Sequence, residues 1–138
     1  MSTVIVSNPG RVWSYVSQKS PVPISAGMQG LGVERDGNLI AGVLYEGYTG
    51  HNIWMHVAAD PGKFWLNKKF LRSCFLYPFV QLGCQRVSGW VESSNQGARK
   101  LDEHLGFKQE AVLHGAARDG GDVLVYVMWR DECRFIRD

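Results

Sequence analysis

Basic side chains crowd one short stretch of this sequence. In Ala58-Ala-Asp-Pro-Gly-Lys-Phe-Trp-Leu-Asn-Lys-Lys-Phe70 a strand pattern ends at a Pro-Gly turn and a long helical pattern begins, with Lys63, Lys68 and Lys69 around its start and Arg72 one turn on. The first turn of a helix presents unpaired amides and about half a positive charge, so lysines there are locally unfavourable. A bound anion reverses that penalty, and a diphosphate suits a cradle of loop amides and a helix start. The other reading, lysines extending into water, costs only about a few tenths of a kcal/mol each, and the stretch by itself leaves both open.

A second run, Asn95-Gln-Gly-Ala-Arg-Lys-Leu-Asp-Glu-His-Leu-Gly-Phe107, starts, stops and exits a short helix. Ser94 or Asn95 offers a cap to the first-turn amides, Ala98, Leu101 and Leu105 make one apolar stripe, and Gly106 supplies the left-handed closing residue. Phe107 then fixes the exit into a strand. Such a joint brings a helix and a sheet edge to one place.

The elements that must position these groups follow from pattern. Thr3 to Val6 is a short strand, and Asn8-Pro9-Gly10 leads into a helix from about Arg11 to Gln18. Three strands follow, Met28 to Glu34, Leu39 to Glu46 and Ile53 to Ala58, the first two joined by the hairpin signal Asp36-Gly37. They predict an antiparallel meander. From about Phe64 to Leu82 the period is helical, with Phe70, Leu71, Cys74, Phe75, Pro78 and Leu82 on one stripe and Pro78 set to kink or shorten the last turn. Arg86 to Glu92 is a strand, and Phe107 to Ala116 pairs with Val123 to Trp129 across Arg118-Asp-Gly-Gly-Asp122. The order predicts an α+β fold around one mostly antiparallel mixed sheet, as a single domain over residues 1–138.

Composition sets limits on partners. A chain of 138 residues with 45% hydrophobic content can bury one core, and a net charge of +2 argues against a nucleic-acid partner. No apolar stretch is long enough to span a bilayer and the first residues lack a signal-peptide pattern, so no membrane partner and a cytoplasmic location are expected. Cys74, Cys84 and Cys133 form no CxxC and no zinc-finger interval, which predicts reduced, packed thiols and no metal.

The order of elements and three stretches together resemble the GNAT-family N-acetyltransferases, in particular the branch that acetylates the N-termini of ribosomal proteins and small phage-borne relatives. Leu76-Tyr-Pro-Phe-Val-Gln-Leu-Gly-Cys-Gln-Arg-Val87 is similar to a family stretch of the form yaFeelGl.rv. Asn95 to Phe107 is similar to N..S.r..eklGF, and Leu113 to Glu132 to a closing hairpin of the form D...Y.m...E.

The resemblance implies a GNAT-like fold with helices on both faces of the sheet and a splayed central strand pair. Acetyl-CoA, as co-substrate, would enter the gap, its pantetheine meeting the backbone of Val57 and Ala58. Its diphosphate would rest on the loop from Gly62 through Lys63, Phe64, Trp65, Leu66 and Asn67 to Lys68. Asn95 takes the place of an asparagine that bonds the cofactor arm, with Arg99 one turn on. An amine acceptor, a protein N-terminus, lysine or small polyamine, would attack the thioester directly.

A base for that amine is expected on or near the third meander strand, where His51 and His56 lie, with Glu46 on the preceding strand as another choice. Trp54, Trp65 and Trp90 are candidate cleft walls. Two departures stand out: Lys63 and Trp65 occupy positions where the family has glycines, and Asp102 falls where many relatives carry a tyrosine that protonates the departing thiolate. An ionised aspartate cannot do this unless its pKa is strongly raised, which leaves Tyr126 or water for the role, or a thiolate that departs unaided. A catalytically degenerate CoA-binding or interaction domain is the alternative, and a homodimer through strands or helices is a further expectation.

Overall fold

The computed structural model describes residues 3–62 and 67–137. Lys63, Phe64, Trp65 and Leu66, four of the expected anion-loop residues, lie outside the described residues. The elements are β1 (Thr3–Val6), α1 (Pro9–Lys19), β2 (Gln29–Arg35), β3 (Asn38–Glu46), β4 (Asn52–Ala59), α2 (Lys68–Leu76), β5 (Arg86–Glu92), α3 (Gln96–Leu105), β6 (Lys108–Leu113) and β7 (Val123–Trp129). Short 3₁₀ turns at Arg130–Glu132 and Arg134–Ile136 follow.

Seven strands form one sheet in the order β1-β2-β3-β4-β5-β7-β6. Every neighbouring pair is antiparallel except β4 and β5, which run parallel through three residue pairs only, Asn52↔Arg86, Ile53↔Val87 and Trp54↔Ser88. The Ser88 hydroxyl donates to Asn52 Oδ1 at 2.5 Å, so a side-chain clasp joins the two strands at that end. Beyond it β4 keeps its bonds to β3 as far as Ala59, and β5 keeps its bonds to β7, but no ladder joins β4 to β5. The centre of the sheet is therefore a wedge that opens along the strands.

Helices cover both faces. α1 packs Val12 and Val16 onto β2 and β3 in a small core with Leu44 and Ala58. It can approach this closely because Gly30 and Gly42 lie beneath it: a β-carbon at Gly42 would come within 3.1 Å of both valines. The larger core lies on the other face, where Phe70, Cys74, Phe75 and Phe79 pack with Val87, Leu105, Phe107, Leu124 and Tyr126.

The long helix is shorter than its periodicity suggested. Asn67 caps it, its side chain accepting from the Phe70 amide at 2.7 Å, and regular α structure stops at Leu76. Pro78 has no N–H to give, and the chain widens into a π turn over Tyr77–Gln81, closed by the Leu82 amide on the Tyr77 carbonyl at 3.0 Å. α3 matches its expected caps. Asn95 Oδ1 accepts from the Ala98 amide at 3.1 Å, and Gly106 takes φ 109°, which lets the Phe107 amide close back on the Asp102 carbonyl at 3.0 Å. Among the described residues no helix is long and apolar enough to cross a membrane.

Candidate functional site

The wedge continues into a cleft of about 650 Å³ between the open side of β4 and the face of α3. Val57, Ala58 and Ala59 form one wall, Asn95, Ala98 and Leu101 the other, and Asp60, Pro61 and Gly62 close one end. Four of the residues expected to hold a cofactor, Val57, Ala58, Gly62 and Asn95, thus meet at one cavity. Asn95 spends its carbonyl oxygen on the helix cap, which leaves the amide nitrogen for any ligand. Asn67 and Lys68 stand at the start of α2, Asn67 as the cap and Lys68 exposed. Arg99 does not line the cleft; its guanidinium donates to the Ser93 carbonyl at 3.2 Å.

Basic groups that the motif reading passed over rim the cleft. Lys19 comes from the last turn of α1, and Lys100 and His104 from α3. Lys100 and His104 are four apart on a helix, a spacing from which their shared face could have been read. The position of Lys19 depends on tertiary packing. Its ammonium lies 3.1 Å from Asp60, which also accepts from the Tyr15 hydroxyl at 2.7 Å. The Tyr15 bond, then Lys19, hold the Asp60 carboxyl below its ordinary value.

The catalytic candidates separate by face and by burial. His56 is buried on β4, and its Nε2 lies 2.5 Å from Glu46 Oε2 on β3. Residue 56 faces Leu44 in the register and residue 46 faces Trp54, so the pair is a diagonal contact on one face of the sheet. Trp90 of β5 meets the imidazole edge to face at 5.4 Å across the parallel pair. Burial holds the His56 pKa below its ordinary value, against the pull of Glu46 in the other direction. A neutral ring whose Nε2–H donates to Glu46 carries its lone pair on Nδ1.

His51 is exposed in the turn before β4, where its backbone carbonyl accepts from the Gln85 and Arg86 amides at 2.9 and 3.2 Å. Tyr126 is buried on β7, and its hydroxyl donates to Glu103 at 2.7 Å. These two do not join the His56–Glu46 pair.

Asp102 is the least expected group. It is 7% exposed, and burial first, then the charge of Glu103, push its carboxyl up to about 7. The helical stripe of Ala98, Leu101 and Leu105 gave a hint of this, because Asp102 lies one turn beyond Ala98 on the same side.

No family model and no curated protein matches the sequence. Solved structures do. A variant of the spermidine N-acetyltransferase SpeG from Vibrio cholerae superposes with a TM-score of 0.73 at 15% identity, covering 98% of this chain and 96% of its own. SpeG crystallised with manganese gives 0.70 at 16% identity, over 94% of this chain and 93% of that one. A protein from Desulfovibrio desulfuricans assigned to the GNAT family gives 0.71 at 14% identity, over 94% and 99%. With its single parallel strand pair, its wedge and helices on both faces, the chain has the fold of the GNAT N-acetyltransferases.

Proposed function

We propose that this protein is an N-acetyltransferase that moves an acetyl group from acetyl-CoA to a primary amine. The observation that carries the reading is the loss of β4–β5 pairing beyond Trp54 and Ser88, which leaves backbone groups of β4 without a strand partner beside a cleft of about 650 Å³. Unpaired strand amides and carbonyls seek partners, and an extended ligand with alternating amides supplies them as a further strand would.

The residues present fit such a donor. Val57 and Ala58 would hold its amide arm, with the Asn95 amide nitrogen on the facing wall and Gly62, Asn67 and Lys68 toward its anionic end. Lys19 and Lys100 add positive charge at the rim. The bound donor supplies an activated acyl carbon whose oxygen becomes negative as an amine attacks.

His56 would take the amine's proton on Nδ1, while Glu46 fixes the tautomer and stabilises the imidazolium that forms. Trp54 and Trp90 are half-buried on the same face as His56. Aromatic walls beside a carboxylate suit an ammonium that must shed a proton before it reacts. The acceptor is a protein N-terminus, a lysine or a small polyamine; the activity named for one structural neighbour, the spermidine N-acetyltransferase SpeG, supports the last.

Calorimetry with acetyl-CoA and CoA, followed by thiol release over a panel of amines, tests the reading. Binding with turnover of at least one primary amine is expected. Binding without turnover would identify a CoA-binding domain instead, and no binding at millimolar concentration would overturn both.

A further inference from the structure

We propose that Lys19 is a phosphate ligand of the acetyl donor, brought to the cleft by the end of α1 and balanced there by Asp60, a role that rests on the acetyltransferase reading above.

Three side chains form one cluster where β4 ends. Tyr15 and Lys19 are four apart on α1 and so share a face, and the Lys19 ammonium lies 5.2 Å from the centre of the Tyr15 ring. Both side chains reach the same atom, Asp60 Oδ1, the hydroxyl donating at 2.7 Å and the ammonium standing at 3.1 Å. The backbone of Asp60 is fixed in turn, its amide donating to the Ile40 carbonyl of β3 at 2.8 Å. A lysine in the last turn of a helix would otherwise sweep through water. Here its head is held at a mouth that Ser20, Asp60, Pro61 and Gly62 share.

The charges at this mouth give the pair its purpose. Asp60 is the one carboxylate among the described residues that line the cleft, and the end of α1 adds about half a negative charge of its own. Both would repel an anionic ligand, and Lys19 offsets both from one position. As a stabilising pair Lys19 and Asp60 would contribute little, because their side chains are 36% and 42% exposed. The same exposure keeps the ammonium within reach of a ligand. An ammonium has three N–H donors, so one that meets Asp60 still has donors for a second acceptor. Phosphate oxygens suit it best, because a charged acceptor makes the shorter and stronger bond. Lys100 and His104 line the cleft from α3, so an anion meets basic groups from two elements.

Calorimetric titration of the intact chain with CoA at low and high salt tests this. Lys19→Met keeps the length of the stem and removes the charge. It should weaken CoA at least about fivefold in about 50 mM salt and stay within about twofold of the wild type in about 1 M salt, where a charge contact is screened. Lys19→Arg should hold most of the affinity. In the Lys19→Met background, Asp60→Asn should recover part of the loss, since the carboxylate left without its cation is gone. Lys108, which pairs with Glu132 outside the cleft, is the control for net charge, and Lys108→Met should bind as the wild type does.

Titration with 3′-dephospho-CoA identifies the phosphate: an equal loss in Lys19→Met assigns the contact to the diphosphate, and a loss confined to CoA assigns it to the 3′-phosphate. Unchanged CoA affinity in Lys19→Met at low salt overturns the inference and leaves the acetyltransferase reading intact. So does an equal loss at both salts, which marks a structural role, a matching loss in Lys108→Met, or no recovery with Asp60→Asn. Absence of CoA binding in the wild type overturns the acetyltransferase reading and this inference with it.

Discussion

His56 and Glu46 meet across neighbouring antiparallel strands with 2.5 Å between Nε2 and Oε2, and this contact decides which imidazole nitrogen can accept a proton. Replacing His56 by Ala should lower turnover by roughly 10²- to 10⁴-fold with CoA binding unchanged by calorimetry. Glu46→Gln keeps the shape but no longer holds the tautomer, so it should lose turnover in the same direction. Unchanged rates in both variants would remove the pair from the reaction.

The same histidine links stability to acid. Its folded pKa lies below its unfolded value, so between the two the unfolded chain binds more protons. Its contribution is complete above the ordinary histidine value and is lost as pH falls through the lowered one. Melting curves from pH 7 downward should therefore show a steeper decline for the wild type than for His56→Gln.

Asp102 acts with the opposite sign. Its carboxyl is raised from 3.8 to about 7, so the folded state binds the extra proton and stability falls as pH rises through that window. Asp102→Asn should remove this slope and gain on the order of 3 kcal/mol at pH 8 relative to pH 4 in denaturant titrations.

Gly89→Ala places a methyl group 3.3 Å from the Met55 carbonyl oxygen and 3.8 Å from Asp102 Oδ2. The carbonyl belongs to backbone held by β3, so it yields little. A stability cost of about 1 kcal/mol with a ten- to hundredfold drop in kcat/KM is the expected outcome, by thermal melts and steady-state rates.

Asn95→Ala should cost about 1 kcal/mol through the lost cap and also weaken CoA binding, whereas Asn95→Asp keeps a cap and lacks only the amide donor. Comparing melting temperatures with dissociation constants separates the two roles. Equal CoA affinity in all three proteins would confine Asn95 to capping.

Much of the fold was legible because strands and helix ends carry local chemistry. Arg86–Glu92 and Val123–Trp129 have the boundaries that their β-branched alternation implied, and Asn95 and Gly106 cap α3 as their types require. Pro78 announced the end of α2, but the early start predicted for that helix overlooked Asn67 as its cap. The site was harder to read. A histidine and a glutamate ten positions apart face one another only once the hairpin register is known, and Lys19 reaches Asp60 only through the seating of α1. The burial of Asp102 was hidden for a related reason: the space that admits its carboxyl is made by Gly89 on a different element.

The glycines beneath α1 have an effect at the far end of that helix. With Val12 and Val16 resting on Gly30 and Gly42, α1 behaves as a lever pinned near its middle, and its final turn carries Lys19 to the rim of the cleft. A single methyl group at Gly42 would lift the helix from its seat and draw Lys19 away from Asp60. Entry to the cleft could thus be altered from a position that touches neither the donor nor the acceptor.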